Sequence, residues 1–81
     1  MTVTDCLRSE LEIAIFEANL GEKQTFVARL RFIDKLPQVE VCGEFEERYG
    51  YIIDRATVSR WEKEAKTAIQ AALAKMRQNR T

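Results

Sequence analysis

The stretch TFVARLRFIDKLPQVEVCGEF alternates apolar and polar residues on both sides of the tetrapeptide DKLP, and this alternation constrains the chain more than any other feature. Read as a strand, residues 25–33 place Phe26, Ala28, Leu30 and Phe32 on one face and Val27, Arg29, Arg31 and Ile33 on the other. Residues 38–46 repeat the pattern, with Val39, Val41, Gly43 and Phe45 opposed to Gln38, Glu40, Cys42, Glu44 and Glu46. Closing a hairpin through Asp34-Lys35-Leu36-Pro37 pairs Phe32 with Val39, Leu30 with Val41, Ala28 with Gly43 and Phe26 with Phe45. The same register sets Arg31 opposite Glu40, and Arg29 opposite Cys42 with Glu40 and Glu44 on the diagonals. A slip of one residue would turn one apolar set to solvent, so the register follows from the pattern. Both arginines are then matched within the fold and do not point to a partner.

The segment SRWEKEAKTAIQAALAKM, with Val58 before it, carries a helical stripe of Val58, Trp61, Ala65, Ala68, Ile69, Ala72 and Met76, which predicts a long helix over about 55–78. Asp54 is the favoured N-cap because Val58 already belongs to the stripe, and Glu62 stands four residues before Lys66 as a helix-stabilising pair. A second helix is predicted over about 5–20, with Leu7, Leu11, Ala14, Ile15 and Ala18 inward, Thr4 as cap and Gly21 ending it left-handed. That phase leaves Ile13, Phe16 and Leu20 off the main stripe. The alternative for this segment is a strand with Leu11, Ile13 and Ile15 on one face.

The expected architecture is therefore a single α+β domain over residues 1–81, a two-layer α-β-β-α arrangement with both helices on the inner face of the hairpin. A three-stranded β-meander plus the C-terminal helix is the alternative. Trp61, or a leucine of the first helix, is expected to fill the dip left by Ala28 and Gly43. An 81-residue chain buries only about 60–65% of its unfolded surface, so its stability margin is thin. A lone hairpin has two open edges, and together with the Ile13/Phe16 patch this suggests a homodimer.

Composition narrows the chemistry. At 46% hydrophobic and 32% charged residues the chain reads as globular. Its longest apolar runs, IAIF and AALA, span no membrane, and its opening MTVTDCLRSE has no basic region followed by an apolar stretch. A cytoplasmic location is the expectation. There is no histidine, which removes any Ser-His or Cys-His nucleophile pair, and two cysteines 36 positions apart make neither a zinc site nor a disulfide scaffold. The carboxylates Glu44, Glu46, Glu47 and Asp54 lack the spacing of a cation loop and read as a solvated face. Cys42, placed between arginines, reads as an ordinary small residue and not as an activated thiolate. No glycine-rich phosphate loop is present. Neither catalysis nor a cofactor or metal is expected.

What remains is binding. Arg48, Tyr49 and Tyr51 flank Gly50 at an element junction and belong to residue types enriched at interaction hot spots. With Ile13 and Phe16 they are the candidate protein-binding residues of a small interaction module, an inhibitor, adaptor or accessory protein of the kind that phages and mobile elements encode. Charge supplies the alternative. Six Lys/Arg stand against ten Asp/Glu through Ile53, and seven against three from Asp54, a −4/+4 division. The tail RATVSRWEKE resembles the recognition helices of small DNA-binding repressors, which implies nucleic-acid contact through Arg55, Thr57, Ser59, Arg60 and Lys63, with Lys66 of the same basic helix as a further candidate. Two departures accompany the resemblance: the gap from Gly50 to Thr57 exceeds that motif's tight turn, and VEVCGEFEE upstream reads as a strand.

Overall fold

The computed structural model describes residues 7–78, and every regular element among them is helical. Helix α1 runs Arg8–Glu17, α2 runs Glu22–Ala28 and continues as a π-helical turn over Arg29–Ile33, α3 runs Gln38–Tyr49, and α4 runs Arg55–Gln78. The α+β expectation, hairpin or meander, is overturned. Both segments assigned to strands are helices.

Helix α4 is the spine. Its 24 residues span about 36 Å at 1.5 Å per residue, and α1, α2 and α3 all pack against it. The predicted stripe is the buried one: Val58, Ala65, Ile69 and Ala72 are buried, with Leu73, while Trp61, Ala68 and Met76 are partly buried. Asp54 caps the helix as expected, accepting the Thr57 N–H at 2.8 Å on Oδ1. Hydrogen bonding by Thr57, hydroxyl first and backbone N–H second, holds the Asp54 carboxyl below its ordinary pKa.

Two hydrophobic clusters lie along this spine. The first joins Leu11, Ala14 and Ile15 of α1 to Ala28 and to Ala65, Ile69, Ala72 and Leu73 of α4. The second joins Val27, Val41, Phe45, Ile53 and Val58, edged by Phe26, Leu30, Cys42, Tyr49 and Trp61. Helix α2 and its π turn lie between them, so Val27, Phe26 and Leu30 serve one cluster while Ala28, Phe32 and Ile33 serve the other. The π turn is closed by the Asp34 N–H donating to the Arg29 carbonyl at 3.1 Å, one residue wider than an α-turn.

This double burial explains the misread alternation. A helix covered on two flanks is apolar most of the way round, and its few polar residues then fall at intervals that imitate period two. In α3 the buried positions are Val41 and Phe45, with Cys42 and Tyr49 beside them, a helical spacing. Val39, inward in the hairpin, is 64% exposed. The glutamates Glu40, Glu44, Glu46 and Glu47 also favour helix over strand. Phe26 and Phe45 do meet, 6.3 Å apart and edge-on, but as side chains of two helices. Trp61 fills no hairpin dip; it packs 5.8 Å from Phe45.

Helix α1 keeps most of its predicted face, with Leu11, Ala14 and Ile15 buried and Ala18 packed beside them. Leu7, also expected inward, precedes the helix and is 69% exposed, and the helix is shorter than expected among the described residues. The left-handed residue after it is Asn19, at φ 54°, not Gly21, whose φ of −62° opens α2. Thr4 and Cys6 lie outside the described residues. Helix α3 ends on Gly50 at φ 80°, a left-handed cap that glycine adopts without strain.

Two outcomes follow. Gly43 sits on the exposed side of α3 with no atom within 4 Å of where a Cβ would stand. Gly43→Ala should raise stability by about 0.5–1 kcal/mol in chemical denaturation, because it removes a helix-interior glycine; a loss of stability would contradict the helix. The folded Asp54 pKa is depressed, so its contribution is present above the unfolded carboxylate pKa and is lost as pH falls through the lower folded value. Asp54→Ala should melt below the wild type at neutral pH, and the two curves should converge in strong acid.

Candidate functional site

The three acids from Asp54 onward are all engaged by neighbours. Asp54 is turned onto the first turn of α4. Glu62 accepts Arg31 Nη2 at 2.9 Å on one oxygen and Gln38 Nε2 at 3.4 Å on the other. Glu64 accepts Gln24 Nε2 at 2.6 Å. Arg31 in turn donates through Nη1 to the Leu36 carbonyl at 2.6 Å, so one guanidinium ties the π turn, the loop before α3 and α4 together. The Arg31 Nε is buried without an acceptor among the described residues.

The hairpin pairing of Arg31 with Glu40 is thereby corrected: its carboxylate is Glu62, 31 positions away. The expected Glu62–Lys66 pair gives way to the same contact, since Glu62 turns inward to Arg31. Arg29 is matched as well, to Glu12 of α1 at 3.2 Å, not to the Glu40/Glu44 diagonal. Cys42 lies between no arginines; it is partly buried on the second cluster.

With those acids occupied, Arg60 and Lys63 are exposed on the side of α4 away from Val58, Ala65 and Ile69, and Arg55 and Lys66 are exposed on the adjoining flank. No ion pair holds any of the four among the described residues. Ser59, Thr67 and Gln70 share this outer face and supply neutral hydrogen-bonding groups. The exposed flank of α3 bears the opposite sign, through Glu40, Glu44 and Glu47. Glu44, Glu46, Glu47 and Asp54 are all exposed, and no group of three or more metal-ligating side chains occurs among the described residues.

Arg48, Tyr49 and Tyr51 do come together, at the end of the second cluster. Phe45 is the hub, with its ring 4.6 Å from Tyr49 and 5.2 Å from Tyr51 between centroids, and Phe26 lies 5.5 Å from Tyr49. Cations cover the outside: Lys23 Nζ lies 5.0 Å from the Tyr51 ring centre and 5.8 Å from that of Tyr49, and the Arg48 guanidinium lies 6.0 Å from Tyr49. Hydrogen bonding to Tyr51 raises the Lys23 pKa above its ordinary value. Lys23 was invisible to sequence reasoning because its partners lie more than 25 positions away; its only local signal is Phe26 one turn later. Tyr51 remains 43% exposed, and Ile52 beside it 73%.

Ile13 and Phe16 are not part of that group. They stand on α1 beside the last turns of α4, where a groove of about 180 Å³ is lined by Ile13, Glu17, Ala72, Lys75 and Met76. From Trp61 to Ala72 the spine rises about 16 Å, so the two patches occupy different halves of the molecule. Leu20, also predicted off-stripe, packs on the first cluster instead.

No protein-family model, curated protein or solved structure matches the chain.

The two arginines differ in what their loss should cost. Arg31→Ala strands a half-buried carboxylate and a carbonyl, and should destabilise on the order of 1–3 kcal/mol in urea denaturation. Arg29→Ala breaks a pair that is nearly half exposed on both sides and should cost about 0–1 kcal/mol. Equal losses would mean that Arg31 does not join the elements as described.

Proposed function

We propose that the chain binds double-stranded DNA through the outer face of the first half of α4, with Arg55, Arg60, Lys63 and Lys66 as the contacting cations. The observation that carries this reading is charge segregation: the acids of this region are engaged by neighbours, while these four cations are exposed and in no ion pair among the described residues, although the charge of Arg60 also acts on Asp54. In a chain with zero net charge, only such a separated face attracts a polyanion. The likeness of RATVSRWEKE to a repressor recognition helix gains support because the segment before it is helix α3, not a strand. The turn between the helices, residues 50–54, stays longer than in that motif. Phosphate would be repelled by Glu40, Glu44 and Glu47, which confines contact to α4. A cytoplasmic setting, the expectation from the sequence, is the one this reading requires; no helix among the described residues is long and apolar enough to cross a membrane.

A second reading, the protein-interaction module, rests on Arg48, Tyr51 and the exposed Ile52 at the aromatic end of the second cluster. Inhibitor, adaptor and phage or mobile-element accessory roles belong to it.

Gel-shift titrations on random-sequence duplex at several salt concentrations separate the two. DNA retention should weaken steeply with salt, and Arg60→Ala with Lys63→Ala should make the log-log slope shallower by about one for each phosphate no longer neutralised. The same pair of changes should leave the circular dichroism spectrum intact, since both side chains are exposed. Retention that ignores these changes, or that fails at low salt, would overturn the DNA reading. A partner held through high salt and released by Tyr51→Ala would favour the second.

A further inference from the structure

We propose that the α1/α4 groove is the seat of a second copy of this chain, entered by Phe16 of the other protomer in a two-fold dimer. This proposal stands whether or not α4 meets nucleic acid, because it concerns the opposite half of the molecule.

Three observations point to this occupant. Phe16 is 82% exposed, the most exposed of the large apolar side chains described, and lies one turn from Ile13, which itself lines the groove at 51% exposure. A projecting ring and a recess thus adjoin on one surface. The recess is the right size, since a cavity of about 150 Å³ accommodates a benzene ring and this groove offers about 180 Å³. Finally, its rim carries one acid and one base, Glu17 and Lys75, in no ion pair with each other.

Two-fold symmetry converts these features into contacts. In an isologous interface a residue pair occurs twice, once in each direction. Phe16 of each protomer enters the groove of its partner, over Ile13, Ala72 and Met76. Each Glu17 then faces the opposing Lys75, so two rim charges that form no ion pair among the described residues gain one in the dimer. An apolar centre with a charged rim is the common anatomy of such contacts. The patch is small, which makes the association weak and concentration-dependent.

Sedimentation equilibrium of the full chain over micromolar to millimolar concentration tests this. The wild type should show a monomer–dimer equilibrium, and Phe16→Ser should weaken it by about tenfold or more with an unchanged circular dichroism spectrum. Glu17→Lys and Lys75→Glu should each weaken it, whereas the double exchange should restore it, a result that loss of fold would not produce. Concentration-dependent amide shifts should cluster at Ile13, Phe16, Ala72 and Met76. A wild type that stays monomeric at millimolar concentration, shifts that cluster on another face, or single exchanges without effect would overturn the proposal.

Discussion

Val27 and Ala28 are neighbours in the chain, both inaccessible to solvent, and they face different cores. That a short helix must satisfy two clusters at once is the constraint on which the rest depends. It makes the stretch 26–33, the end of α2 and the π turn, apolar except for Arg29 and Arg31, and leaves those two residues few choices. Arg29 and Arg31 leave at the flanks, where each finds a carboxylate from a different helix. Burial of apolar surface sets where the helices lie. The Arg31–Glu62 contact then decides which loop and which turn of α4 are joined.

The same constraint divides what could be read in the residues from what could not. Helix α4 was legible because it is buried on one side only, so its stripe has an unmistakable helical period and its cap is a nearby aspartate. Helix α1 was legible for the same reason. Helix α2 was not, since two-sided burial erases the polar face that makes a helix recognisable. In α3 the signal was present: Val41, Cys42, Phe45 and Tyr49 share a helical stripe, and four glutamates oppose a strand. The competing alternation is the stronger pattern only if Val39 and Gly43 are counted as inward. The contact between Phe26 and Phe45 was anticipated in the wrong geometry, a reminder that a pairing can be compatible with two secondary structures.

For the candidate sites the division is similar. The basic residues of α4 could be named from the sequence, but not that Arg55, Arg60, Lys63 and Lys66 enter no ion pair among the described residues. That depends on Glu62 and Glu64 being drawn to Arg31 and Gln24, partners 31 and 40 positions away. The hairpin argument for self-association fell with the strands, whereas the off-stripe Ile13 and Phe16 remain solvent-facing. The tyrosines either side of Gly50 pack on Phe45 beneath Lys23 and Arg48, Tyr49 partly buried there and Tyr51 still 43% exposed.

Because α4 carries inward-facing residues of both clusters along one stripe, its rotational phase is shared. Val58 at one end and Ile69 at the other must point correctly together, and a helix turns by about 100° per residue. Inserting or deleting a single position between them would leave either cluster intact but aim the other at water. The spine should therefore admit many exchanges of one residue for another while rejecting almost any change in its length.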